Sequence, residues 1–550
     1  MKPSLLDRAI ASVAPGLAAR RLVDRARFAT VSASLSGYDA ARRERAGLRN
    51  FNAQPRTADA DTLPSLDLQR ARSRDMLRNA PLAAGAVNTV VTNVVGTGLT
   101  VSAQAHRPRL AALAGITPDQ VAEFEAAAEG EWSLFCRAEH SDALGQTDFA
   151  AMQELAFRAV LESGDVFAPF VARPAGGPFD FAVQLIEADR VSNPKRRADS
   201  QTLAAGVEFD TAGRPVAYHV ADIPRVIGAP SKWTRLAAAA PDGSRRVLHL
   251  LHRRRIDQTR GVSYLAPVMA TLKDLDRYTD AEITAAVLNA CVAILGTSPD
   301  GAAPMKAEAQ ATGTAASTGQ LQRASIDFEP GLVLEGFRPD ETLKSFAPDR
   351  PSQAFDPFVQ AILRHVGVAL ELPFEVLVKH FTASYSAARA ALLQAWAFFR
   401  MRRGWLAGAF CQPVYEMVVH NAVLRGRVAA PRFLEDPRIR AAWLRARWTG
   451  PAAGQLDPLK EVNAAEKRIA LKLSTRTRET AELSGDDWED IATELAWEDE
   501  VIDELGLAEP VTPPATGATA APAQPPAEDS ADGASDSAAG GTDQETADAA

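Results

Sequence analysis

Residues 248–296 read LHLLHRRRIDQTRGVSYLAPVMATLKDLDRYTDAEITAAVLNACVAILG and contain a short apolar run, a basic turn and a long helical pattern. Pro267 suits a first helical turn, where its missing N–H costs little. Apolar residues recur at helical spacing, namely Leu265, Val268, Met269, Leu272, Leu275, Ile283, Val287, Leu288, Cys291 and Ile294. This period predicts a helix of about thirty residues, roughly 45 Å at 1.5 Å per residue. Such a length is typical of a strut, a bundle member or a wall element of an assembly.

Length and composition indicate a soluble globular protein of several domains. The 550 residues suggest three or four domains, and 46% hydrophobic with 23% charged residues is ordinary for such proteins. The longest apolar run, Ala285 to Gly296, is too short to span a membrane. The N-terminal segment has apolar residues at helical spacing, but Asp7 and Arg8 interrupt any secretory core. It predicts an amphipathic arm, either a surface helix or a helix that docks on a neighbouring subunit.

The net charge of −9 conceals an uneven distribution. Residues 485–550 contain 18 Asp and Glu and no Lys or Arg, so residues 1–484 contain 60 basic and 51 acidic residues. The body of the chain is therefore mildly basic, as expected of a solvated surface. It lacks the dense stripe of basic and aromatic residues that marks a tight nucleic-acid binder.

Cysteine usage excludes a disulfide framework. Cys136, Cys291 and Cys411 are odd in number, far apart in the sequence and embedded in apolar helical patterns. They predict buried thiols in a reducing compartment.

Helical patterns flank a β-rich stretch. Residues 30–65 are polar and predict an extended arm. Residues 68–103 predict two helices and a cap at Gly96-Thr97-Gly98 that leads into a strand, since the third glycine of a phosphate loop is missing. Two helices follow in residues 117–165, the first starting near Thr117 and the second spanning Phe149 to Leu161. Short strands are predicted at 166–171, 181–186, 206–209 and 215–220.

The C-terminal half is predicted to be mainly helical. Residues 298–325 are rich in Gly, Ala, Ser and Thr and predict a mobile segment. Helices are expected from residue 358 to residue 425 and again over residues 459–505, while residues 508–550 have the composition of a disordered tail.

Signatures of catalysis are incomplete. Gly261-Val262-Ser263 begins like a nucleophile elbow, but Leu265 replaces the second glycine and a helix with proline near its start follows. His249 and His252 would point to opposite faces of a strand, and no carboxylate or cysteine cluster lies near them in the sequence. We therefore predict no catalytic, cofactor-binding or metal-binding residue. The alternatives are a hydrolase or nuclease that uses Ser263 or His249/His252, and a non-viral DNA-binding scaffold.

Two smaller features also have structural explanations. The run Arg253-Arg254-Arg255 is interpreted as a solvated face in preference to a phosphate clamp. Ser263 is interpreted as a cap, and the two histidines as structural.

A set of short motifs follows one order along the chain. The motifs are RARSRDMLRN (70–79), NVVGTGL (93–99), LIEADRV (185–191), GVEFD (206–210), GRPVAYHV (213–220), RGVSYLAP (260–267), PGLVLEGFRPDE (330–341), DRPSQAFDPF (349–358), ELPFEVL (371–377), SYSAARAALLQAW (384–396), WTGP (448–451), LDPLKE (456–461), STRT (474–477) and GDDWED (485–490). Over roughly residues 5–505 this set resembles the phage portal proteins of the lambda-like family. The family usually has Asn-Tyr-Ser-Ser where this chain has residues 384–387.

The resemblance implies an α+β fold, a mainly helical multi-domain portal subunit with wing, stem, clip and crown parts, an inserted β-rich module and a long stem helix. It implies an N-terminal arm (1–65), a helical N-terminal wing part with short strands (66–184), a β-rich clip-like module (185–260), a long stem helix (261–297), a mobile channel-loop region with strands (298–357), a helical wing and crown part (358–505) and a disordered acidic tail (506–550).

The resemblance also implies a function without catalysis. Portal subunits form a homo-oligomeric ring, typically a dodecamer, at one capsid vertex, through which a terminase motor packages double-stranded DNA and through which the DNA later leaves. The implied partners are the terminase large subunit, the major capsid protein or scaffold, head–tail adaptor proteins and the DNA in the channel, with no membrane and no cofactor. The ring would initiate capsid assembly in the host bacterial cytoplasm and remain in the virion as the head–tail connection platform.

Overall fold

The computed structural model describes residues 10–35, 50–51, 53–174, 176–222, 232–290, 294–297, 342–345, 355–381, 384–454 and 458–505. The chain divides into two compact units, Met1–Trp488 and Glu489–Ala550. Cys291, the segment 298–325 and the tail 508–550 lie outside the described residues, so the predictions made for them stay predictions.

Helices account for most of the regular structure. They are α1 (Pro15–Leu35), α2 (Ala58–Thr62), α3 (Leu66–Asn79), α4 (Pro81–Val94), α5 (Arg107–Ala114), α6 (Pro118–Phe135), α7 (Ala138–Ser141), α8 (Phe149–Ser163), α9 (Met269–Ala290), α10 (Phe355–Ala369), α11 (Phe374–Val378), α12 (Tyr385–Leu406), α13 (Gln412–Leu424), α14 (Pro437–Trp443), α15 (Pro458–Ala470), α16 (Arg476–Leu483) and α17 (Trp488–Leu505). A π-helical turn, Ala407–Cys411, joins α12 to α13.

The strands form small antiparallel sheets. They are β1 (Thr100–Ala103), β2 (Asp165–Ala172), β3 (Phe181–Val183), β4 (Ile186–Glu187), β5 (Leu203–Ala204), β6 (Val207–Phe209), β7 (Pro215–Ala221), β8 (Trp233–Ala237), β9 (Val247–Leu251), β10 (Ile294–Thr297), β11 (Thr342–Ser345) and β12 (Ala446–Thr449). In the first four-stranded sheet β2 pairs with β3, β4 and β9, and the second has the order β5-β6-β7-β8. The strand β1 pairs with β12, and β10 pairs with β11. The mainly helical α+β class is thereby confirmed.

Local sequence signals explain several helix ends. Thr117 and Gln120 form a reciprocal capping box at the start of α6, and Asp148 accepts a hydrogen bond from Ala151 N at the start of α8. After α4 the chain turns into β1 through Gly96 and Gly98, whose φ angles are +58° and +109°. Both angles lie where glycine is favoured, so the predicted cap is confirmed.

The main core lies among the helices of the first unit and the sheet around β2. The buried Trp132 has ring contacts with Phe149, Tyr415 and Trp448, at centroid distances of 4.9, 5.8 and 5.5 Å. Aromatic pairs at such distances add about 0.5–1.5 kcal/mol each to the stability gained by burial. A second, smaller core lies between the two four-stranded sheets and consists of Phe167, Ile186, Val191, Val207, Tyr218, Val220 and Val247.

The long helix is shorter than its apolar period suggested. Pro267 lies in a turn before the helix, α9 covers the 22 residues Met269–Ala290, and Ile294–Thr297 is a strand. The β-branched Ile294 and Thr297 suit a strand, and Ile294 pairs with Ser345, fifty-one residues later in the sequence. The prediction of a continuous helix to about residue 296 was wrong. The apolar period of residues 265–294 could not reveal a strand pairing with residues that are about fifty positions away.

Other boundaries also differ from the predictions. The stretch 181–186 contains two separate strands, β3 and the start of β4, which pair with different parts of β2. The predicted extended arm at 30–65 is helical through Leu35 and again over residues 58–65, where Thr57 caps α2 by accepting a hydrogen bond from Ala60 N. The strands β8 and β12 were not predicted. Among the described helices, none combines the length and apolar character needed to cross a bilayer.

Candidate functional site: a buried arginine–aspartate junction

Four ionisable side chains meet where the helical part of the first unit joins both four-stranded sheets. They are Arg70 on α3, Asp165 at the start of β2, His249 on β9 and Arg260 in the turn that leads towards α9. We call these four residues the junction. The side chain of Asp165 is completely buried, and those of the two arginines are at most 3% exposed.

The Asp165 carboxylate accepts five hydrogen bonds. Its Oδ1 accepts from Arg70 Nη2 at 2.8 Å and Arg260 Nη2 at 3.2 Å. Its Oδ2 accepts from Arg260 Nε at 2.6 Å, Gly261 N at 3.1 Å and His249 Nε2 at 3.2 Å. Every lone-pair direction of the carboxylate is therefore used within the protein, and the group has a structural role.

Arg260 ties the turn before α9 to the β-rich region. Its Nη1 donates to the carbonyl oxygens of Val191 at 2.8 Å and Ala205 at 2.6 Å, and its Nη2 donates to that of Ala188 at 2.7 Å. Its guanidinium also lies over the Phe167 ring, with Cζ 5.1 Å from the centroid. One buried side chain thus contacts β2, the segment from Ala188 to Val191, and Ala205 directly after β5.

Arg70 and Arg74 anchor α3 to the end of α8. Arg70 Nε donates to the Ser163 carbonyl oxygen at 2.9 Å. Arg74 donates to Glu162 Oε1 and Ser163 Oγ, each at 3.0 Å, and also pairs with Asp189. These contacts cap the C-terminal end of α8, where cationic groups are favoured.

Two glycines allow the backbones to touch beside the junction. A Cβ atom on Gly261 would lie 1.8 Å from the Gly164 carbonyl oxygen, and one on Gly164 would lie 2.2 Å from the Gly261 carbonyl carbon. Gly164 also has φ +92°. No side chain fits between these two segments, so the approach that brings Gly261 N to Asp165 depends on glycine at both positions.

Ser263 lies in this interface as a structural hydroxyl. Its side chain is buried, and its Oγ lies 2.9 Å from Ser73 Oγ and 3.3 Å from the Leu161 carbonyl oxygen. The same oxygen accepts a hydrogen bond from Leu265 N at 3.1 Å. Ser263 therefore caps the turn before α9, and its described hydrogen bonds go to α3, α8 and this turn.

The structure places His249 and His252 in different surroundings. His249 stacks on Phe167 with centroids 4.2 Å apart and hydrogen-bonds to Asp165. His252 is half-buried and has an edge contact with Trp405 at 6.2 Å. They do not share a site. Among the described residues, no group of three or more His, Cys, Asp or Glu side chains is arranged to hold a metal ion.

Electrostatics keep the junction carboxylate charged and its imidazole neutral. Burial alone would raise the pKa of Asp165, but the charges of Arg260 and Arg70 and the His249 hydrogen bond hold it well below its usual range. Burial lowers the pKa of Arg70 to about 10, which leaves the guanidinium protonated at neutral pH. Burial also lowers the pKa of His249, and this outweighs the opposing effect of Asp165, so His249 donates to Asp165 as a neutral ring.

These pKa shifts predict that stability falls as the pH falls. Both groups have folded-state pKa values below their unfolded values, so the unfolded chain binds more protons. The loss begins below about pH 6.5 for His249 and below about pH 3.9 for Asp165. Urea unfolding at a series of pH values should show a smaller slope of stability against pH between pH 6.5 and 5 for His249→Gln than for the unchanged chain. An identical slope would contradict the assignment of a neutral His249.

The basic turn that follows β9 binds residues 56–61, at and before the start of α2. Arg255 Nη1 lies 2.5 Å from Asp61 Oδ2, and its Nη2 donates to the Arg56 carbonyl oxygen at 2.9 Å. Thr259 donates from its backbone N and its hydroxyl to Asp59, at 2.8 and 2.6 Å. Arg253, Arg254 and Arg255 all lie on the surface, and Arg255 belongs to an ion pair.

The two described cysteines are free thiols in apolar surroundings. Cys411 is fully buried and Cys136 is partly buried. Burial raises the pKa of Cys136 to about 12 and raises that of Cys411 as well. Both are therefore protonated at neutral pH and are poor nucleophiles.

Sequence reasoning did not single out Arg70, Asp165 or Arg260 as interacting residues. Arg70 and Arg260 belong to the motifs RARSRDMLRN and RGVSYLAP, but Asp165 is ninety-five positions from each of them. The one available signal was that LIEADRV and RGVSYLAP are motifs of the same ordered set. In the structure, Arg260 of RGVSYLAP donates hydrogen bonds to carbonyl oxygens of LIEADRV. This contact depends on tertiary structure.

The sequence of this chain matches one family model and is similar to known portal proteins over most of its length. A family model described as phage portal protein, lambda family, matches residues 44–403. Portal protein B of Escherichia phage lambda is 26% identical over 461 residues, which is 81% of this chain and 85% of that protein. The portal protein of Escherichia phage N15 is 27% identical over 500 residues, or 86% of this chain and 91% of that protein.

Among solved structures, this chain has weak similarity to chains of gene transfer agent (GTA) particles. One is described as the neck of a native GTA particle computed with C12 symmetry, with a TM-score of 0.37, 13% identity and coverage of 77% of this chain and 100% of that chain. Another is the virion of a native GTA particle, with a TM-score of 0.37, 15% identity and coverage of 76% and 94%.

Proposed function

The chain belongs to the lambda family of phage portal proteins, and we propose that its copies form the ring-shaped channel at one capsid vertex through which double-stranded DNA is packaged and later ejected. The observation that carries this proposal is the family match over residues 44–403, which contains all four junction residues. Relatives that are similar over more than four-fifths of the chain bear the same description.

The finer parts of the proposal concern assembly. A homo-oligomer of twelve copies would initiate capsid assembly in the host bacterial cytoplasm, contact the major capsid protein or scaffold, and receive DNA from the terminase large subunit. After packaging it would form the platform for head–tail adaptor proteins and remain in the virion. The proposal assigns no catalytic site, metal or cofactor to the chain.

The structure supports a strut role for α9. The turn at its start is fixed by Arg260, Ser263 and the Gly164–Gly261 approach. Further along, Tyr278 stacks on Phe355 at 5.6 Å and has an edge contact with Phe358 at 5.3 Å, so α9 and α10 pack together. We assign α9 as a stem helix rooted in the junction. The clip-like, wing and crown assignments made from the resemblance remain part of this proposal.

The charge of the body suits a passage for DNA. Each phosphate neutralised by Lys or Arg adds salt-dependent affinity, and a dense basic lining would slow the movement of the duplex. Residues 1–484 carry only nine more basic than acidic residues. This mild excess of positive charge suits a channel through which DNA slides better than a channel that binds DNA tightly.

The enzymatic alternative is not favoured by the geometry. A hydrolase or nuclease based on Ser263 needs a base within hydrogen-bond reach, whereas the Ser263 hydroxyl lies against Ser73 and the Leu161 carbonyl. The Nε2 atom of His249 is engaged by Asp165.

The affinity for duplex DNA distinguishes the portal function from that of a DNA-binding scaffold. We expect the monomer fraction of the purified chain to bind duplex DNA no more tightly than the nonspecific range, about 10⁻⁴–10⁻⁶ M at physiological salt. Fluorescence anisotropy with a labelled duplex measures this affinity, and Arg255→Gln serves as a matched variant of the basic turn. Tight, salt-sensitive binding by monomers that Arg255→Gln weakens would favour the scaffold.

A further inference from the structure

A small cavity with a cationic lining lies beside the junction. It is lined by residues of α8, the end of β9, the turn before α9 and α12, including His252, Arg254, Tyr264, Arg402 and Trp405. We call it the cationic pocket. Its volume is about 20 Å³, which is enough for one water-sized group.

Arg402 is a buried residue in the lining of this pocket, and its guanidinium does not make all of its possible hydrogen bonds. Only 8% of the residue is exposed, and its Nε has no hydrogen-bond partner among the described residues. Its Nη2 lies 3.7 Å from Glu371 Oε1, beyond hydrogen-bond distance, and its guanidinium lies over the Phe398 ring at 5.0 Å. A buried charged donor without an acceptor costs about 1–3 kcal/mol or more, so this one calls for an explanation.

The charges around the pocket are unbalanced. Arg254 and Arg402 are the two positive charges in its lining. His252 also lines the pocket, but burial and the charges of Arg402 and Arg254 lower its pKa, so its ring is neutral at neutral pH. The described carboxylate that opposes them is Glu371, whose side chain is 54% exposed. The hydroxyl of Tyr264 donates to the Leu370 carbonyl oxygen. The pocket lining therefore carries a surplus of positive charge, and Arg402 in that lining has a buried N–H donor without a partner among the described residues.

We propose that the cationic pocket binds a small oxyanion, a carboxylate or a phosphate, with one oxygen inserted to accept a hydrogen bond from Arg402 Nε and the rest of the anion at the mouth beside Arg254. The cavity admits a single oxygen-sized group, which matches one corner of such an anion. Charge-assisted hydrogen bonds of this kind are short and about twice as strong as neutral ones. The bound anion would join the end of β9 to α12. This inference does not depend on the proposed function.

Thermal unfolding of the full chain with added anions tests the site. Inorganic phosphate and acetate are titrated separately at constant ionic strength, with chloride as the replaced anion. We expect at least one of them to raise the Tm of the unchanged chain with saturation, as required for binding to the folded state. The anion that acts shows whether phosphate or carboxylate is the better ligand.

Variants separate this site from general salt effects. Arg402→Met should abolish the increase in Tm, and Arg254→Gln should weaken the apparent affinity at least threefold. Arg400→Met, which removes an exposed arginine from the same helix, should leave the response unchanged. Since Arg254 is on the surface, its variant remains informative if Arg402→Met fails to fold. An absent increase in Tm, or the same increase in all four proteins, would overturn the proposal.

Discussion

Replacing Asp165 by alanine should destabilise the folded chain by about 3–5 kcal/mol, the cost of breaking a buried ion pair by removing one partner. The variant leaves Arg70 and Arg260, at most 3% exposed, without their counter-charge. It also leaves Gly261 N without an acceptor and His249 without its hydrogen bond. Urea unfolding followed by circular dichroism measures the change as a lower midpoint.

Asp180→Ala is the matched control for this prediction. Asp180 also forms a salt bridge with an arginine, Arg425, and also accepts a hydrogen bond from Asn421. Its side chain is 56% exposed, however, and water replaces a lost partner at such a site. The effect should therefore be much smaller than that of Asp165→Ala. Equal effects of the two variants would refute the central role of the junction.

Gly261→Ala should be the second severe substitution, with a loss of more than about 3 kcal/mol from overlap with a packed backbone. The new Cβ would lie 1.8 Å from the Gly164 carbonyl oxygen, so the two segments must separate. That movement also pulls Arg260 away from Asp165. The yield of soluble protein and the Tm both report the effect.

Gly130→Ala provides the control for the added methyl group. Gly130 lies within α6, and a Cβ there meets no atom within 4 Å. Because alanine favours helices more than glycine, this variant should be neutral or more stable by about 0.5–1 kcal/mol. If Gly261→Ala were tolerated as well as Gly130→Ala, the close backbone approach would not be essential to the fold.

Local features of the fold were predictable from the sequence. The caps at Thr117 and at Gly96–Gly98, the helix from Phe149 and the strand at 215–220 all depend on residues close in sequence, and the structure has them. The ordered motifs predicted the portal family, which the family model confirms.

Long-range pairings were not predictable in the same way. The apolar period could not show that α9 ends at Ala290, because Ile294–Thr297 pairs with a strand near residue 343. Nor could it show that Arg70 and Arg260 meet at Asp165. A charged residue carries no local mark of a partner ninety-five positions away, so the junction became visible only in three dimensions.

The junction brings together three motifs that are far apart in the sequence. Arg70 comes from RARSRDMLRN and Arg260 from RGVSYLAP, and Arg260 binds the carbonyl oxygens of Ala188 and Val191 in LIEADRV. These contacts fix the turn from which α9 leaves. In the proposed ring, a rigid root would hold each stem helix in the same orientation.

Negative-stain electron microscopy of the purified full chain, across a range of salt concentrations, tests the central claim most directly. We expect closed rings with rotational symmetry and an axial opening. Only monomers or small symmetric dimers at every salt concentration would contradict a ring-forming portal protein.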